Sequence, residues 1–214
     1  MKVMNFVNLI NQAFRFVIQT SLEYNIDESH SLKHSLEVFN YANTIYESEV
    51  VKFPQLENHR EIISLASIVH DMCDKKYMNE DLGVANMVNY MKDYILPEDL
   101  DMVSKIIKTM SYSKVKINGY PDFGEHQLAY HIVRESDLLA GYDLDRCIIY
   151  RMMHSKFNYT DALVESRDLF ENRILNYRKD KLFITSFSKN KSLLLHRKAV
   201  KDVEKLNSLL KIIK

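Results

Sequence analysis

Apolar side chains return every three or four residues along almost the whole chain, and this periodicity confines it to a helical fold. Val3, Phe6, Val7, Ile10, Ala13, Phe14, Val17 and Ile18 open the series, with Asn5, Asn8, Asn11, Gln12 and Arg15 between them. Those interruptions predict an amphipathic packing helix within residues 1–24 rather than a signal peptide, which would carry an unbroken apolar run and a small-residue cleavage site. The same spacing predicts helices over about 31–49, 58–73, 82–95, 98–111, 125–141, 143–158, 160–178 and 189–212. Pro97 ahead of Glu98 and Asp99 marks one helix start, and Thr160 is the expected N-cap of another. Alternating strand patterns are scarce. Only four glycines and three prolines occur in 214 residues, where average usage would supply roughly 15 and 10. Gly-rich phosphate loops and turn-dense β-sandwiches are therefore excluded. The one long joint, Ser111 to Gly124, holds two of the glycines and one proline and reads as a lid or binding loop.

Lys plus Arg and Asp plus Glu both number 29, so no bulk field recruits nucleic acid or an anionic membrane, and any anion must be caught locally. Lys189, Lys191, Arg197, Lys198, Lys201 and Lys205 spread over more than one face of the last helix and form a solvated surface rather than a nucleic-acid stripe. The apolar residues of that amphipathic helix, Leu193, Leu194, Val200, Val203, Leu206, Leu209 and Leu210, are expected to close the core of their own chain. No segment approaches the ~18 uninterrupted apolar residues of a membrane span. Two cysteines, Cys73 and Cys147, are too few for a disulfide framework and point to a reducing, cytoplasmic setting.

A few polar residues break the apolar stripes. His34 lies one helical turn before Val38, Ala42 and Ile45; His70 follows Ile63 and Ala66 on one face, with Asp71 next to it; Asp137 falls in line with Tyr130 and Val133. Burying one such group without a partner costs several kcal/mol. Taken singly, each is an ordinary hydrogen-bonded polar residue. Taken together, two imidazoles and two carboxylates are the donors that a divalent cation prefers, with positions left for water.

The stretch Asp27–Ala42 (DESHSLKHSLEVFNYA), then Ile68–Tyr77 (IVHDMCDKKY), then Arg134–Tyr142 (RESDLLAGY) resembles the HD-domain superfamily of metal-dependent phosphohydrolases. Phe183–Val200 is similar to the carboxy-terminal Thr-bearing turn and Arg-bearing helix of its small single-domain members. The resemblance implies one all-α HD-type domain over 1–214, with a metal-binding core at 25–180 and a C-terminal helical extension at 181–214. It places metal ligation on His34, His70, Asp71 and Asp137, with one divalent ion (Mn, Mg, Co, Ni, Zn or Fe). Glu135 stands where relatives tend to have an aspartate and could share or replace Asp137. Asp74 and Lys76 take catalytic roles, Asp74 handling the attacking water or protonating the leaving oxygen. Lys75, Ser111, Arg151 and His30 are expected at the substrate, with His30 alternatively a second-metal ligand. The implied activity is hydrolysis of a phosphate ester in a nucleotide or other small metabolite. The alternative is a silent HD-fold module that binds nucleotide or metal as a sensor or interaction protein; a di-iron oxygenase would need more histidines than are matched. Expected partners are the phosphorylated substrate and a second copy in a homodimer, with neither membrane nor nucleic acid.

Overall fold

Short polar side chains start the helices where the apolar stripes begin. In the computed structural model, which describes residues 5–155 and 158–212, Asn5 accepts from the Val7 amide at the start of α1 (Phe6–Tyr24). Asn79 accepts from the Leu82 amide to open α4 (Glu80–Met91), and Asp143 from the Arg146 amide to open α8 (Leu144–His154). These contacts satisfy amides that have no partner inside the helix. Asn158, not Thr160, caps α9 (Tyr159–Asn172), accepting from the Asp161 amide. Pro97 occupies the first turn of α5 (Pro97–Thr109), where its missing N–H costs nothing.

The remaining helices are α2 (Leu32–Val50), α3 (Arg60–Val69), α6 (Tyr112–Asn118), α7 (Gln127–Ala140) and α10 (Ser186–Ile212). Among the described residues there is no strand, and no helix is long and apolar enough to cross a membrane. Val3 and positions 156–157 of the predicted 143–158 helix lie outside the described residues.

Four further expectations need correction. The joint 111–124 is not an open loop: Ser111 caps α6, accepting from the Lys114 amide, and Gly119, at φ 73°, ends it. The predicted helix 58–73 is a composite, with 3-10 turns at Pro54–His59 and His70–Cys73 on either side of α3. The buried face of α1 is Leu9, Ala13, Phe16 and Val17, leaving Val7 and Ile18 exposed. In α10, likewise, Ala199, Val203, Leu206 and Leu210 are buried while Leu193, Leu194 and Leu209 face outward. In both helices the apolar residues are more numerous than the inward face can hold.

One continuous apolar cluster draws side chains from α1 to α5 and α7 to α10. Helices α2, α3 and α7 pack on one another at its centre. Every residue of α3 from Ile62 to Val69 is buried. Helix α4 comes close to the His70–Cys73 turn because Gly83 has no side chain; a Cβ there would lie 2.9 Å from the Cys73 Cα.

Candidate metal centre

Each of the three central helices carries a polar residue at one end, and these ends meet. His34 is in the first turn of α2, His70 and Asp71 form the 3-10 turn that finishes α3, and Asp137 lies in the last turn of α7. The Nε2 atoms of His34 and His70 are 3.2 Å apart. Asp71 Oδ2 is 3.3 Å from each of them. Asp137 Oδ1 is 3.4 Å from His34 Nε2 and 3.8 Å from His70 Nε2. Donors each about 2.1 Å from a common ion are about 3.0–3.4 Å apart. His34, His70 and Asp137 thus form a group that could hold a metal ion, with Asp71 against both imidazoles.

The chemistry of the donors fits a cation. Asp71 Oδ2 is buried yet has no hydrogen-bond partner among the described residues, a costly state unless an ion or proton answers it. His70 Nδ1 lies 3.0 Å from the Ser67 carbonyl; donating there turns Nε2 toward the cluster, the orientation common to metal-bound histidines. His34 Nδ1 has no partner among the described residues, so its ring is positioned from the Nε2 side. Without an ion the groups lean on one another. Burial would lower the His70 pKa, but Asp71 and Asp137 outweigh it and push the imidazole up to about 9. Burial would raise both carboxylates; the imidazoles instead hold Asp71 and Asp137 below the usual carboxylate range.

Glu135 is not part of this group. Side chains two residues apart on an α-helix diverge by about 200°, and Glu135 points to the opposite side of α7 from Asp137. There it accepts from the Ile184 amide at 2.5 Å and from the Thr185 amide and hydroxyl at 3.2 and 2.7 Å. Arg134 donates to the Leu182 carbonyl beside it. The pair ties α7 to the segment leading into α10, and Glu49 of α2 accepts from the Ser186 amide at the start of that helix.

A cavity of about 300 Å³ opens from Asp71 and Asp137. His30, Asp74, Lys76, Ser111 and Arg151 line it. Lys75 is exposed on the rim of a smaller adjoining cavity of about 130 Å³, which shares Asp71, Asp74, Lys76, Ser111 and Asp137. Asp74 accepts from the Lys76 amide through Oδ1, and its Oδ2 is 3.3 Å from Lys76 Nζ. The same ammonium lies 3.3 Å from His30 Nε2.

The pattern of donors around His30 is consistent throughout. Its Nε2 accepts from Lys76, so the proton is on Nδ1, which faces the Ser29 and Tyr77 hydroxyls at 2.6 and 3.1 Å. Both hydroxyls in turn donate to the Asp27 carboxylate. Burial, aided by Lys76 and Arg146, lowers the His30 pKa to about 3 and keeps the ring neutral. His30 is thus a support for Lys76 at the cavity wall, and it is not within the His34, His70 and Asp137 group.

Arg146 escaped the sequence reading. Its Nη1 donates to His34 Nε2 at 3.0 Å and to the Ser29 carbonyl at 3.2 Å. The signal available was its place in the first turn of α8, next to buried Cys147 and one turn before Tyr150. Asp27 and Tyr77, which anchor His30, were within the stretches that carried the resemblance but had no role assigned. Burial pushes the Cys73 thiol up to about 12, so it offers no thiolate to the smaller cavity it lines.

No protein-family model matches the chain, and comparison with curated proteins and with solved structures also returns no match. What fold and site define is an all-α protein with a buried His/Asp group able to hold a metal ion.

Proposed function

We propose that this protein is a metal-dependent phosphohydrolase of the HD type, acting on a small phosphorylated metabolite, with nucleotides the first compounds to try. The observation that carries this reading is the convergence of His34, His70 and Asp137 donor atoms, with Asp71 against both imidazoles, beside a cavity lined by Asp71, Asp137, Asp74 and Lys76. Two nitrogen and two oxygen donors suit one borderline or hard divalent ion (Mn, Mg, Co, Ni, Zn or Fe) and leave positions for water and substrate. When bound, such an ion acidifies a coordinated water and polarises a phosphoryl oxygen.

The chain's own residues supply the rest. Asp74 is oriented by the Lys76 amide and ammonium, so its carboxylate can take the proton of the attacking water and return it to the leaving oxygen. Lys76 directs two of its three N–H donors at Asp74 and His30; the third serves a phosphoryl oxygen as negative charge spreads over it. His30, kept neutral and held by Ser29 and Tyr77, fixes Lys76 in that position.

A second reading draws on Arg146. Its guanidinium stands against His34 Nε2, on the atom a cation would use, which favours a module that binds an anionic ligand without turnover. The experiment that separates the two is phosphate release from a panel of nucleotides and sugar phosphates by EDTA-treated protein resupplied with each metal in turn. Release that needs a divalent ion and disappears in His70→Ala and Asp71→Ala supports the hydrolase. No release under any metal, alongside tight nucleotide binding, reverses the order.

A further inference from the structure

The lining of the larger cavity is rich in guanidinium groups that pair with no carboxylate among the described residues. Arg146, Arg151 and Arg173 all line it, together with Lys76. Among the described residues none of the three arginines pairs with a carboxylate, and the Nε of each is buried without a hydrogen-bond partner. Buried donors of this kind are expensive to leave unanswered. Against these four cationic side chains the cavity sets three carboxylates, Asp71, Asp74 and Asp137. Asp74 is taken by Lys76, and Asp71 and Asp137 face His34 and His70, so no carboxylate is paired with the three guanidinium groups. In a chain of zero formal charge this is a local concentration of positive potential. A phosphate monoester dianion neutralises only two of those three guanidinium charges.

Two aromatic residues in the same lining, Tyr112 and Tyr150, already carry a cation or an imidazole against the ring. The Arg173 guanidinium sits 4.5 Å over the Tyr112 ring, which also packs at a tilt on Tyr177 with ring centroids 5.4 Å apart. Tyr150 is stacked on His154 at 4.9 Å, with Arg151 and Lys76 at 5.8 and 5.6 Å from its centre. A nucleotide's base would have to stack on the ring faces these contacts leave. A guanidinium laid on a tyrosine instead presents its N–H edge sideways, in the fork that matches a carboxylate or phosphate.

We infer that Arg173, with Arg151, forms a subsite for a second oxyanion group on the leaving part of the substrate. The substrate class is then a compound with two anionic groups, the phosphoryl group to be hydrolysed and a further phosphate or carboxylate. This rests on the hydrolase reading for the first group only; the second site can be tested without turnover. The small volume, about 300 Å³, suits a short metabolite.

The probes are three three-carbon compounds: glycerol 1-phosphate with one anionic group, 3-phosphoglycerate with an added carboxylate, and propane-1,3-diol bisphosphate with an added phosphate. In calorimetric titrations of the EDTA-treated protein, one or both two-anion compounds should bind at least tenfold more tightly than glycerol 1-phosphate, and which one does so identifies the second group. Arg173→Gln should reduce that preference to less than threefold, and Arg173→Lys, which keeps charge but loses the fork, should fall between. With Mn²⁺ added, the kcat/KM ratio between two-anion and one-anion probes should follow the same order. Equal binding of all three compounds by the native protein, or an equal loss for all three in Arg173→Gln with Arg173→Lys unchanged, overturns the inference. If binding discriminates as stated but no metal releases phosphate from any probe, the subsite stands and the hydrolase reading falls.

Discussion

Adding a divalent ion to the metal-free protein should raise its thermal midpoint, and replacing Asp71 by Asn should remove that rise. Asp71 is the informative position because Oδ2 is 3.3 Å from both imidazole nitrogens while lacking a hydrogen-bond partner, so it gains most from a cation. An ion present at 100 times its dissociation constant stabilises the native state by about 2.7 kcal/mol. For a chain of this size each kcal/mol moves the midpoint by roughly 2–4 °C, so the expected rise is about 5–11 °C. Asn keeps the shape of the side chain but removes the charge. If that weakens binding about a hundredfold, the same ion concentration equals the new dissociation constant, and the stabilisation shrinks to about 0.4 kcal/mol, or roughly 1 °C. In EDTA the variant should stay within about 1–2 kcal/mol of native, because His70 can release its proton and leave no unpaired buried charge. Differential scanning calorimetry with Mn²⁺, Mg²⁺, Co²⁺, Ni²⁺, Zn²⁺ and Fe²⁺ measures all of this. A native midpoint that none of these ions moves, or an equal rise in Asp71→Asn, would refute the shared-cation account.

Other consequences are independent of that one. Asp74→Ala should keep the ion-induced rise in midpoint yet lose about 10²–10⁴ in kcat; full turnover would remove Asp74 from proton transfer. Gly83→Ala puts a Cβ 2.9 Å from the Cys73 Cα and 2.8 Å from the Met78 sulfur. It should cost about 1–3 kcal/mol and weaken metal binding by shifting the His70–Cys73 turn; unchanged melting and metal titration would show that the turn yields freely. In metal-free protein, acid should destabilise well above the carboxylate range. Burial lowers His30 to about 3 and, with Arg134, lowers His131 to about 4. A depressed imidazole contributes stability that is complete above its unfolded value near 6.5 and is lost as pH falls, at up to about 1.4 kcal/mol per pH unit for each group. Raised His70 acts in the opposite window, its contribution being lost as pH climbs from 6.5 through about 9. Urea titrations from pH 9 to 4.5 should therefore show a maximum near pH 6.5, and a flat profile would contradict both assignments.

Much of the site was legible because α-helices project side chains in a fixed order. The steps from His34 to Val38, from Ala66 to His70 and from Val133 to Asp137 are each one turn, so each polar residue had to follow its apolar neighbours inward. Rotation about the helix axis also separates Glu135 from Asp137, which places only one of them on the cluster side of α7. The 111–124 segment misled because its glycines and proline mark ends rather than absence of structure: Ser111 and Gly119 enclose a two-turn helix. In α1 and α10 the apolar residues outnumber the positions that face inward, so periodicity alone could not select the buried set.

Arg146, Arg173 and the Asp27, Ser29 and Tyr77 support of His30 were decided only by the tertiary structure. Their partners lie from one to more than a hundred residues away, and a lone Arg or Tyr on a helix has the same local pattern whether it faces solvent or a cavity. The amino-acid order by itself determined that the chain is helical and that His34, His70 and Asp137 follow their apolar neighbours inward, though not which apolar residues of α1 and α10 are buried, since a 3.6-residue repeat fixes the relative direction of side chains but not how wide the covered face is. Packing of α2, α3 and α7 decided that those inward groups meet, because convergence within 3–4 Å depends on where the helix ends stop against one another.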